Sequence, residues 1–89
     1  MASIEERVED LILNKVQELG YELYDVQYAK EGKDYFLRIF IDSKEGIDLN
    51  DCEKVSEELN GLLDSADYIK EQYFLEISSK RSRKNIKKR

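Results

Sequence analysis

Apolar positions at the start of the chain return every three or four residues. Ile4, Val8, Leu11, Ile12, Val16 and Leu19 make one stripe along a helix, with polar and acidic residues between them. Ser3 stands at its start and Glu6 three positions on, the spacing at which each side chain can satisfy the other's backbone N–H. Glu5, Glu6 and Glu9 place negative charge near the positive end of the helix dipole. Gly20 follows the stripe, where a left-handed cap favours a residue without Cβ. Beyond it the period falls to two. Tyr24, Val26 and Tyr28 alternate with Asp25 and Gln27, then Leu37, Ile39 and Ile41 alternate with Phe36, Arg38 and Phe40. A short turn around Glu31, Gly32 and Lys33 joins these runs into a hairpin.

The helical period returns with Leu49, Cys52, Val55, Leu59, Leu62 and Leu63, behind an N-cap at Asp48 and with Asp51 in the first turn. The polar stretch "DSAD" ends this helix. The run "QYFLEIS" is a third strand, with Tyr73, Leu75 and Ile77 facing inward and Phe74 and Glu76 facing the other way. A strand, a helix and a strand in succession make a right-handed crossover. The expected fold is α+β: αββαβ, a three-stranded sheet with two helices packed on one face. The pattern leaves open whether the third strand lies beside the first or the second.

That architecture leaves Phe36, Phe40 and Phe74, around Arg38 and Glu76, on the face away from the helices. Aromatic residues fill a pleated surface well, which accounts for them structurally. The same residues also form a candidate docking face for another domain. Stacking of nucleotide bases is disfavoured, because the face lacks a basic surround.

At 89 residues the chain is a single domain, with a small but sufficient core. A single cysteine, Cys52, excludes an internal disulfide and points to a reducing compartment. The N-terminus lacks the pattern of a secretory signal and no apolar run approaches a membrane span, so the expected location is the cytoplasm. With no His in the chain, a Ser or Cys nucleophile has no customary base. Cys52 lies on the apolar stripe and reads as a buried structural thiol, although its first-turn position would favour a lowered pKa. The stretch "DSKEGIDLNDCE" departs from a calcium loop at Lys44 and Gly46. The four glycines form no phosphate loop. The expected protein is therefore no enzyme and needs neither metal nor cofactor.

Three stretches resemble the ribosome maturation factor RimP family: "ELGYELYDVQYAKEGKDYFLRIFID" at Glu18 to Asp42, "GIDLNDCEKVSEELNGLLD" at Gly46 to Asp64, and "YFLEISS" at Tyr73 to Ser79. The similarity spans nearly all of residues 4–79, in order and with matching spacing. It implies a bacterial cytoplasmic factor that binds the assembling small (30S) ribosomal subunit and turns over no substrate. It also implies a link to incorporation of the small-subunit protein numbered twelve, and an N-terminal αββαβ domain followed by a β-barrel. The chain departs from the family after Ser79, where Pro-Gly and an acidic-Arg-Pro-Leu stretch would lead into the barrel. Here Lys80 and Arg81 follow instead.

Seven of the ten residues from Lys80 to Arg89 are basic, leaving eight basic side chains against twenty acidic ones in the body. The net charge of −5 thus joins an acidic body near −12 to a tail of +7. The expected organisation is a RimP N-terminal-like domain at residues 1–79 and a basic, disordered tail at 80–89. Lys80, Arg81, Arg83, Lys84, Lys87, Lys88 and Arg89 are the candidate phosphate contacts to rRNA. The acidic body would meet the small subunit through a basic ribosomal protein. An uncovered Phe36, Phe40 and Phe74 face would also support weak self-association. The alternative is a truncated or frame-shifted paralogue, or an interaction module, without ribosomal activity of its own.

Overall fold

A computed structural model describes residues 3–80 and the backbone of residues 85–87. Helix α1 (Ile4–Glu18) leads into a hairpin of β1 (Glu22–Glu31) and β2 (Asp34–Asp42), followed by helix α2 (Leu49–Ala66) and strand β3 (Tyr73–Ser79). This is the α+β order expected. Strand β3 lies beside β2, parallel to it, with Leu37 opposite Leu75 and Ile39 opposite Ile77. The hairpin partner β1 lies antiparallel on the other side of β2, so β2 sits between them. A short strand not expected from the pattern, β4 (Asn85–Lys87), pairs antiparallel with β3 inside the basic segment.

The ends of the helices follow local chemistry. Ser3 Oγ accepts a hydrogen bond from the Glu6 backbone N–H at 3.1 Å. The reciprocal arrangement is complete at α2. There the Asp51 N–H donates to Asp48 Oδ1 at 2.8 Å, and the Asp48 N–H donates to Asp51 Oδ2 at 3.0 Å. Gly20, at φ 94°, takes the left-handed position after α1. The hairpin needs only Gly32 and Lys33 between the paired Glu31 and Asp34. Gly32 at φ 65° occupies the first turn position, as a two-residue hairpin turn of that kind requires.

The core is a single cluster between the helices and one sheet face. Val8, Ile12 and Val16 of α1 and Cys52, Val55, Leu59 and Leu63 of α2 pack with Val26, Leu37, Ile39, Ile41, Leu75 and Ile77. Two expectations change. A bulge between Leu23 and Asp25 shifts the register, so Leu23 packs against the core while Tyr24 points outward at 59% exposure. Leu49 opens α2 but is solvent-exposed, outside the part of the stripe that reaches the core. The stretch "DSAD" ends α2 as expected. The helix runs to Ala66 and closes on Asp67, whose left-handed backbone and N–H bond to the Leu63 carbonyl form the cap.

Candidate docking face

Alternation places Phe36, Arg38 and Phe40 of β2 and Phe74 and Glu76 of β3 on the face away from the helices. In register, Phe36 stands opposite Phe74 and Arg38 opposite Glu76. The two phenyl rings meet at 5.5 Å between centroids, tilted by 33°. Arg38 lies over the Phe36 ring with its guanidinium carbon 5.0 Å from the centroid. It then bridges two carboxylates. Nε donates to Glu76 Oε2 at 3.2 Å and a terminal nitrogen donates to Glu31 Oε1 at 3.0 Å. The hydrogen bond to Glu31, and then the charge of Glu76, raise the guanidinium's pKa further above its ordinary value despite partial burial.

This face differs from an open apolar patch. Phe36, Phe40 and Phe74 are half-buried, and the exposed large apolar side chains among the described residues are Tyr24, Leu49 and Tyr68. Glu76 is only 1% exposed, although alternation alone would place it on a solvated face. The reason is lateral: Arg38 lies across it from β2 and Phe74 flanks it along β3. The sequence signal that could have found this was the registered Arg38 and Glu76, once β3 was known to lie beside β2.

The candidate phosphate contacts are mostly outside the described residues: Arg81, Arg83, Lys84, Lys88 and Arg89 fall there, and of Lys87 the backbone alone is described. Lys80 is placed. Its backbone N–H donates to the Ile41 carbonyl at 2.9 Å, continuing the β2–β3 ladder. Its ammonium lies 4.2 Å from the centroid of the outward-turned Tyr24 ring. With Asp25, Gln27 and Phe40 these two side chains line a shallow cleft of about 200 Å³ at one end of the outer face.

Cys52 is buried, and that burial pushes its thiol pKa up, with Asp51 and Asp48 adding to the effect. The net shift runs against the lowering that a first-turn position would favour, and burial is its larger cause. The described residues contain no cluster of three or more side chains placed to hold a metal ion. No described helix is long and apolar enough to cross a membrane.

At the opposite layer, Tyr21 donates to Asp51 Oδ1 at 2.6 Å and ties the α1–β1 connection to the start of α2. That hydrogen bond, aided by burial and the negative charge of Asp51, pushes the Tyr21 phenol up to about 12. A phenol raised in the folded state contributes stability fully below its unfolded value near 10, and loses it as pH rises through about 12. The expected result is that Tyr21 contributes a late step to the ultraviolet titration, beside Tyr28 and Tyr73, whose phenols burial also pushes up. Tyr21→Phe should remove that late step and cost about 1 kcal/mol at neutral pH. An unchanged titration curve would contradict the bond.

A family model described as the RimP N-terminal domain matches residues 11–80, which takes in the second half of α1, the hairpin, α2 and β3.

Proposed function

From the chain's membership of the RimP N-terminal domain family, a family of ribosome maturation factors, we propose that it acts in the cytoplasm as a non-enzymatic assembly factor for the small ribosomal subunit. The family match over residues 11–80 carries this reading. The charge distribution supports a division of labour. The body, with twenty acidic side chains, offers complementary potential to a basic ribosomal protein. The basic segment from Lys80 to Arg89 supplies the phosphate contacts to rRNA.

The test is sedimentation of the full chain with immature small subunits across a salt series. If the basic segment makes about five phosphate contacts with rRNA, the logarithm of the binding constant should fall against log salt with a slope of roughly −3.5 to −4.5. Replacing the seven basic residues by Gln should flatten that slope while leaving a weaker, body-dependent association. A chain that ignores immature subunits at every salt concentration would leave only the alternative of a folded interaction module without ribosomal activity.

A further inference from the structure

The two edges of the sheet are treated differently. On β1, the Val26 N–H donates to Asp25 Oδ1 and the Tyr28 N–H to Glu5 Oε2, each at 2.9 Å. Two carboxylates thus take the donors that an incoming strand would need, which closes that edge. The β3 edge is met by backbone instead. It carries β4, three residues long, with Ser78 opposite Asn85, Ile77 opposite Ile86 and Glu76 opposite Lys87.

Beside this edge lies an uncompensated group. Glu76 is 1% exposed, its Oε2 accepts from Arg38, and no donor among the described residues reaches Oε1. Arg38 divides its donors between Glu31 and Glu76 and reaches only one oxygen of Glu76. A buried carboxylate in that position is costly unless a further donor arrives. Arg38 already fills the β2 side. The remaining approach is from the strand on the other side of β3, at the register position opposite Glu76, which in this chain belongs to Lys87.

We infer that the β3 edge is a binding site for a basic extended peptide segment, which pairs backbone to backbone with β3 and sets a Lys or Arg opposite Glu76. Asn85–Lys87 is the occupant that the chain supplies in cis. A three-residue strand is at the short end of the range and is readily exchanged. The occupant in trans is a basic extension of another protein, and this part alone rests on the proposed meeting with basic proteins of the subunit. RNA fits the edge poorly, since it has no peptide backbone to continue the ladder and its phosphates are repelled by Glu76.

The test uses the full chain and a labelled peptide, KNIKKR, which reproduces residues 84–89. Ile86→Pro unseats β4, because proline cannot donate to a ladder; Lys87→Glu unseats it by charge and serves as a second opening variant. Fluorescence anisotropy should show the peptide binding either variant at least about tenfold more tightly than the unaltered chain, whose edge is occupied. Adding Glu76→Gln should weaken that binding by about tenfold, the loss of one charge-assisted bond. A peptide of equal charge with Pro in place of Ile should bind poorly. Circular dichroism confirms that each variant is folded. Equal binding of the Pro peptide, or indifference to Glu76→Gln, would reduce the effect to net charge and overturn the site. An oligouridylate that competes with the peptide and loses affinity with Glu76→Gln would overturn it in favour of RNA. Neither result depends on whether the chain sediments with ribosomal subunits.

Discussion

Ile39→Ala should destabilise the protein by about 2–5 kcal/mol, a large share of what a domain of this size has. Ile39 is completely buried in the strand between β1 and β3, opposite Val26 on one side and Ile77 on the other. Removing its outer carbons leaves a cavity under both helices that a close-packed core closes only in part. For a small domain this corresponds to a fall in melting temperature of roughly ten degrees or more. Leu49→Ala supplies the contrast: Leu49 is 55% exposed, and its truncation should change stability by about 0.5 kcal/mol or less. Thermal melts of the two variants check the strand register directly. Equal shifts would mean that Leu37, Ile39 and Ile41 do not share the buried face.

Those two residues also show what the pattern of the chain could and could not convey. Helical and strand periods identified the elements because each buries one face. Leu37, Ile39 and Ile41 were legible as core for that reason, and all three are completely buried. Tyr24 was not legible. Alternation grouped it with Val26 and Tyr28, but one extra residue in β1 turns it outward, and a bulge is a property of pairing between strands. The same limit applied to Leu49, which fits the stripe of α2 but lies outside the part that reaches the core. For the candidate site, alternation alone suffices to put Phe36, Arg38, Phe40 and Phe74 on one face. What alternation could not supply was lateral order. Until β3 is placed beside β2, nothing in the sequence brings Arg38 to Glu76 across 38 positions, and the carboxylate reads as a solvated one. The strand β4 was hidden for a different reason. Its residues sit in a run of basic side chains whose composition resembles a solvated tail, and only the β3 edge favours pairing there.

The Arg38 cluster yields the second large effect. Arg38→Met should cost about 2–3 kcal/mol, below the range for one partner of a fully buried ion pair, because the Arg38 guanidinium is partly exposed. Met retains much of the apolar contact with Phe36, so the loss falls chiefly on the abandoned charge of Glu76, which is 1% exposed and then has neither Arg38 nor water beside it. The surface pair of Lys15 and Glu18, at 3.4 Å, makes the comparison: breaking it should cost well under about 1 kcal/mol, because solvent replaces the partner. If desolvation is the cause, neutralising the carboxylate must relieve it. The double variant Arg38→Met with Glu76→Gln should therefore be more stable than Arg38→Met alone, by roughly 1–3 kcal/mol. Chemical denaturation of the single and double variants measures this coupling, provided the denaturant dependence stays constant. A double variant no more stable than Arg38→Met would show that Glu76 reaches solvent once Arg38 is gone. In that event the outer face would be an open surface held shut by a single side chain, and docking there would begin with the displacement of Arg38.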